Sequence, residues 1–299
     1  MRTLLGFFLA ALSVTGFAAT FVFGAALTKA CGVSPEVLSF LRFAIAGGTM
    51  LAVGAATANG RARLAAPTCG DWQEMAWLAP VGTCVMAWCV FMGCARVSTA
   101  NASMADALTP LMIYLVDVLV RRRVDMRGLF GLACGFVGAL LVIRIVGRNG
   151  LALDAYSMGD VYILLSAATW GAYTVFGKRL IRKLGSSVFT TWTMLLGAGL
   201  IGLVLPFGDF AWPSTPKAWT LVVGLGLVST LMPFWTWNAA QRRLRTSTLA
   251  MTAYFTPVIA MGLGVALLGE GVTGLQWLGT AFIVVSAVIE TGRQEMPHA

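Results

Sequence analysis

Few side chains in this sequence could do chemistry, and the most informative of them is Asp106. It follows Thr99 and Ser103 and precedes Pro110 and Asp117, with intervals of 4, 3, 4 and 7 residues. Those intervals put the five on one helical stripe. Asp106 lies about nine residues into an apolar run, hence roughly 13 Å along a helix axis at 1.5 Å per residue. An ionisable group at that depth in a bilayer is costly and faces a cavity or a partner. Solute contact or proton coupling is one reading of Asp106 and Ser103; an interhelical hydrogen bond that holds the fold is the other. Asp117 stands four residues before Arg121, the spacing of a local ion pair.

Aromatic residues with a polar atom form further stripes. Ser166, Trp170, Tyr173 and Gly177 share one helical face, as do Trp235, Asn238 and Arg242. Trp88 and Tyr254 extend the set. Such faces suit a mostly apolar or zwitterionic organic solute, although each residue singly could equally pack against lipid or a neighbouring helix. Pro110 and Pro257 each remove a backbone hydrogen bond and kink a helix. A hinge beside the pathway is the functional reading, and a static kink the alternative. Arg42 reads as a structural partner near the outer surface, and Glu270 and Glu290 as interfacial or paired groups.

Catalysis finds little to work with. The single histidine is His298, and the six cysteines include no CxxC pair. No nucleophile stands beside a base, no phosphate-binding loop is present, and no ligand set suggests a metal or another cofactor. The sequence therefore reads as a non-enzyme, with any transport driven by a gradient or facilitative.

The elements that must position these residues are membrane spans. Of the 299 residues 58% are apolar and 11% charged, against about a quarter charged in soluble domains. Apolar runs long enough to cross a bilayer lie at about 3–28, 35–58, 72–93, 97–120, 127–147, 158–179, 186–206, 217–240, 246–268 and 273–292. The first could pass for a secretory signal, but it runs on to Leu27 without a clean cleavage site. The fold class expected is an all-α membrane protein of ten transmembrane helices.

A net charge of +9 could suggest nucleic acid, but the basic residues sit in short clusters between spans. With the N-terminus inside, the inner joints carry Arg2, Arg61, Arg63, Arg121, Arg122, Arg123, Arg127, Lys178, Arg179, Arg182, Lys183, Arg242, Arg243, Arg245 and Arg293. The outer side holds only Lys29, Arg42, Arg96, Arg144, Arg148 and Lys217. That asymmetry expects both termini in the cytoplasm and no nucleic-acid partner. The partners expected are a small-molecule solute, the lipid bilayer and, if Asp106 titrates, protons; oligomeric state is left open.

The chain also resembles itself. FAATFVFGAAL at Phe17 to Leu27 is echoed by WGAYTVFGKRL at Trp170 to Leu180, an offset of 153. Met104, Thr109-Pro110 and Trp88 recur as Met251, Thr256-Pro257 and Trp235, an offset of 147. Five spans per half is an odd number, so the halves, 1–149 and 150–299, are expected to be inverted repeats. Inverted repeats suit alternating access around a site near the midplane.

These residues resemble the drug/metabolite transporter superfamily in its ten-helix EamA-type branch. The resemblance covers almost the whole chain. It rests on Trp170-Gly171 followed by Lys178, on Ser34-Pro35 leading to Leu41-Arg42-Phe43, on Thr256-Pro257 within an apolar helix, and on Leu268-Gly269-Glu270. The first half departs from the family pattern: Phe17-Ala18 and Ala25 stand where Trp-Gly and Lys are frequent, and Arg121 to Arg123 where Gly-Glu is expected. The resemblance implies a secondary transporter of the bacterial inner membrane that exports small metabolites, such as amino acids or related amphipathic or toxic compounds. An importer of the same fold is the alternative, and a non-transport membrane scaffold a more distant one.

Overall fold

In the computed structural model the described residues are 2–96, 107–122, 126–142, 146–147, 150–151, 158–256, 258–259 and 273–294. Nearly all are helical. A pair of two-residue strands, Val146–Gly147 and Gly150–Leu151, pairs antiparallel, and short coils join the helices.

The helices follow the apolar runs and stop where breakers or charge interrupt them. Helix α1 (Arg2–Ala25) continues through a π turn at Ala26–Ala30. Next come α2 (Pro35–Ala55), a short α3 (Ala58–Leu64), and α4 (Cys69–Ala79). Helix α4 passes through a π segment, Pro80–Val85, into α5 (Met86–Arg96). Then follow α6 (Thr109–Arg121), α7 (Met126–Val142), α8 (Met158–Leu184) and α9 (Ser186–Val204). Helix α10 (Pro216–Gly226) likewise runs through a π segment, Leu227–Leu231, into α11 (Met232–Gln241). Helices α12 (Thr246–Thr252) and α13 (Gly274–Gln294) complete the described elements. Pro35 and Pro216 open their helices at positions where a missing N–H costs nothing. Gly185 takes a positive φ of 89°, which lets the chain reverse between α8 and α9 within one residue.

Five continuous helices among the described residues are long and apolar enough to cross a membrane: Thr3–Ala30, Pro35–Ala55, Cys69–Arg96, Ser186–Phe207 and Pro216–Gln241. Shorter apolar helices lie at Gly128–Leu141 and Gly274–Ser286. Large apolar side chains such as Phe8, Val22, Leu119, Phe130, Leu203 and Trp277 point outward from the bundle. A water-facing surface would not tolerate so much exposed hydrocarbon, whereas a bilayer requires it. The protein is a multi-pass membrane protein.

The helices pair across the middle of the sequence. Helix α1 lies along α11, α5 along α8, α2 along α9, α6 against α12, and α7 along α13. The two π segments begin 147 residues apart, at Pro80 and Leu227, the offset already visible in the sequence. Two hydroxyls of α1 lock it to α11. Pro233 has no N–H to give the Ser229 carbonyl one turn back, and Thr20 Oγ1 donates to that carbonyl at 3.2 Å. Ser13 Oγ donates to the Pro233 carbonyl at 2.8 Å. A proline that would leave an orphan acceptor in lipid is thus satisfied from the next helix.

Two ends of the bundle can be told apart by their contacts. At one, Ala211 N donates to Ser34 Oγ and Arg96 lies over the Tyr162 ring. At the other, Lys183 meets Asp71, Arg179 meets Glu74, and Lys178 reaches Thr246. The expected ion pair between Asp117 and Arg121 forms, at 2.8 Å.

Candidate functional site

Midway between those ends the helices leave a small cavity of about 80 Å³. Helix α1 lines it with Val14, Phe17 and Thr20, residues three apart on one face. Helix α2 contributes Arg42, α5 Met86 and Val90, and α6 Thr109. From the second half come Ser166, Ala167 and Trp170 of α8, Phe234 and Trp237 of α11, and Ala253 and Thr256.

Trp170 is the centre of an aromatic cluster. Its ring lies 5.3 Å from Phe17, 5.0 Å from Phe234 and 5.7 Å from Trp237. Tyr173 stacks on it at 5.3 Å. These spacings and the mostly edge-on angles are those of favourable ring pairs, so the wall is fixed rather than fluid. Tyr173 itself is fully buried behind the wall. Its hydroxyl accepts from Asn238 Nδ2 at 3.2 Å and lies 3.3 Å from Thr193 Oγ1. Asn238 also donates to Thr190 at 2.8 Å. Tyr173 and Asn238 therefore brace Trp170 from the rear.

The only charged side chain in the described lining is Arg42. It is 2% exposed. Nε donates to Thr230 Oγ1 at 3.0 Å, and the guanidinium carbon lies 5.0 to 5.9 Å from the rings of Phe43, Phe91 and Phe234. The expectation that Arg42 sits near the outer surface is overturned. It stands seven residues into α2, roughly 10 Å from the helix start, and the aromatic rings shield it from lipid.

The remaining sequence candidates fall elsewhere. Trp88 Nε1 donates to Glu36 Oε1 at 2.9 Å, and Trp235 Nε1 to Ser187 Oγ at 2.9 Å. Trp235 is 38% exposed. Both tryptophans thus tie the start of the preceding span to their own helix. Tyr254 donates to the Leu132 carbonyl at 3.0 Å and packs with Ala139 and Ile283. Pro110 occupies the first turn of α6 beside Thr109. Ser103, Asp106 and Pro257 lie outside the described residues.

Of the wall, sequence reasoning found Trp170 and its neighbour Ser166. It missed Phe17, Thr20, Arg42, Thr109, Phe234, Trp237 and Thr256 as lining residues. One signal was available: Arg42 is a cation seven residues into an apolar run, the same argument that singled out Asp106.

The sequence pattern of the EamA-like transporter family matches residues 4–144 and, a second time, 157–291. The chain is 22% identical over 211 residues to the uncharacterized transporter YyaM of Bacillus subtilis, covering 69% of each chain. It is 23% identical over 264 residues to an uncharacterized transporter of Archaeoglobus fulgidus, covering 88% of this chain and 89% of that one. A solved crystal structure superposes on 99% of both chains with a TM-score of 0.77 at 24% identity, a likeness of fold. The apolar bundle agrees with a family match on both halves: the chain belongs to the EamA-like transporter family.

Proposed function

We propose that the protein is a secondary transporter that exports small amphipathic organic metabolites, amino acids or related compounds, by alternating access through the central cavity. It works as ten spans in two inverted five-helix repeats, 1–149 and 150–299, with both termini in the cytoplasm of a bacterial cell. The observation that carries this reading is a pair of equivalent contacts. Trp88 bonds to Glu36, and Trp235, 147 residues on, bonds to Ser187. Glu36 is in the first turn of α2, whereas Ser187 and Trp235 lie beside Met50, Val53 and Gly54 at the last turns of α2. The two contacts lie near opposite ends of α2, which supports inversion.

The helix pairing supports the same reading. Exchange of the halves turns the α1–α11 pair into the α8–α5 pair and leaves α2–α9, α6–α12 and α7–α13 unchanged. Repeats related in this way can each adopt the other's conformation, which opens the cavity to one side and then to the other. Export direction rests on the family resemblance, and the aromatic wall supports an amphipathic cargo.

A solute screen in proteoliposomes, with and without a proton gradient, tests the function. Protein-dependent flux of amphipathic metabolites supports it, and flux of none refutes it. Proton coupling is assigned to Asp106. Asp106→Asn is expected to impair flux or change its pH dependence, and an unchanged pH profile removes that role. Cysteine labelling from outside is expected to reach the joints near 148 and 212 but not 61 or 123, and the reverse pattern refutes the orientation.

A further inference from the structure

Arg42 presents an unfinished account of hydrogen bonds. A guanidinium has five N–H donors in a fixed fork and no acceptor. The Nε donor is used by Thr230, but Nη1 is buried with no hydrogen-bond partner among the described residues. Arg42 takes part in no ion pair among them either. Neighbouring rings of Phe43, Phe91 and Phe234 offset part of the cost through their π faces. They accept no hydrogen bond of ordinary strength. A structural arginine would satisfy its fork on carbonyls or a carboxylate, because an unpaired buried charge is strongly destabilising.

The repeat sharpens the point. By the offset of the helix starts, Pro35 to Ser186, Arg42 corresponds to Thr193, and Thr230 corresponds to Thr83 through the offset of 147. Thr83 Oγ1 lies 3.3 Å from the Thr193 carbonyl, so the second copy of this crossing holds without charge. The crossing itself therefore needs no arginine. Around the cavity the hydroxyl-bearing residues Thr20, Ser166 and Thr256 face the same space, and the aromatic floor of Phe17, Trp170 and Phe234 begins at the ring that touches the guanidinium.

We propose that Arg42 is the counter-charge for an anionic oxygen group, such as a carboxylate, on the transported solute, whose apolar body lies on Phe17, Trp170 and Phe234. This inference rests on the transport reading and narrows its cargo to amphipathic organic oxyanions, including zwitterions that carry a carboxylate. The solute completes the fork on Nη1, and its charge-assisted bond forms in a low-dielectric setting where such bonds are strong.

Three probes with one indole body test it in proteoliposomes holding the full chain: indole-3-acetate, indole-3-acetamide and tryptamine. Flux is read above protein-free vesicles. The wild type is expected to carry the acid about tenfold or more faster than the amide at low concentration, the size expected of one hydrogen bond to a charged group. Arg42→Gln is expected to bring the acid-to-amide ratio close to one, and Arg42→Lys to keep part of the preference. Thermal unfolding of the wild type supplies a readout that needs no variant: the acid is expected to raise the midpoint and the amide is not. Equal flux of acid and amide with no selective midpoint rise overturns the assignment of Arg42 and leaves transport standing. An acid preference that survives in folded Arg42→Gln also overturns it. Absence of protein-dependent flux for all three probes, with no midpoint rise for the acid, overturns the assignment of Arg42, and the solute screen then decides the transport reading separately.

Discussion

Arg42 and Thr230 belong to opposite halves of the chain, and the Nε of the first donates to the hydroxyl of the second at 3.0 Å. Thr230 is held in turn, because its own hydroxyl donates to the Leu225 carbonyl at 2.7 Å, five residues back. That bond belongs to the π segment Leu227–Leu231, where the widened helix brings residue i under residue i−5. Segments of this type concentrate at functional sites. Here the widening aims a hydroxyl at the cavity's one described cation.

The first prediction follows from that contact. Thr230→Val keeps the shape of the side chain and removes the acceptor for Nε. The variant is expected to fold, and its half-saturating solute concentration is expected to rise about fivefold, the equivalent of roughly 1 kcal/mol from one hydrogen bond. Concentration-dependent flux in proteoliposomes measures this. An unchanged half-saturation would mean that Thr230 does not position Arg42.

A second prediction concerns close helix approach. A Cβ placed on Gly171 would meet the backbone carbonyl of Met112 at 3.0 Å and Ile113 N at 3.1 Å, and backbone cannot rotate away. Gly171→Ala is expected to lower stability by about 1–3 kcal/mol through overpacking. Gly48 is the control, since a Cβ there meets nothing within 4 Å. Thermal unfolding in detergent should show loss for Gly171→Ala and none for Gly48→Ala. Equal behaviour of the two would place the α6–α8 crossing elsewhere.

The third prediction separates the two partners of an ion pair. Asp71 is nearly inaccessible, accepts from Thr68 N at 2.8 Å and Thr68 Oγ1 at 2.7 Å, and holds Lys183 Nζ at 2.7 Å. Its loss in Asp71→Ala removes the N3 half of the α4 capping box, whose N-cap is Thr68, together with the ion pair. The expected cost is about 1 kcal/mol or more, the scale of one net hydrogen bond to a charged group. Lys183 is half-exposed, and without it Asp71 still accepts both Thr68 hydrogen bonds, so Lys183→Met should cost less. The opposite order of unfolding midpoints would contradict this account.

How much of this was legible in the sequence depends on the residue. Apolar runs, joints and the local pair Asp117–Arg121 are short-range features; five described helices of spanning length lie along those runs, and that contact forms where spacing puts it. The Ser166–Trp170–Tyr173 stripe was legible because one helical face carried its polar and aromatic groups together. Trp88 and Trp235 lie outside the lining of the central cavity; an indole N–H signals only that a partner exists. Both found theirs at the start of a neighbouring helix rather than in a solute. Arg42 was misjudged because charge near a proline-marked boundary reads as interfacial, and only the rings of Phe91 and Phe234, 49 and 192 residues away, show that it is enclosed. The π segments had no matching signal, since Pro80 begins one and Pro233 follows the other.

The central claim is that the solute passes through the cavity between the halves. In a background lacking the six native cysteines, Ser166→Cys places a thiol on the cavity wall, while Leu203→Cys places one on the outward face, where Leu203 is 68% exposed. Each protein is reconstituted, treated with a thiol reagent until modification is complete, and assayed for flux of the best-carried solute from the screen. The account predicts that modification at 166 reduces flux to the protein-free background and that modification at 203 leaves it unchanged. Full flux through protein completely modified at 166 would contradict it.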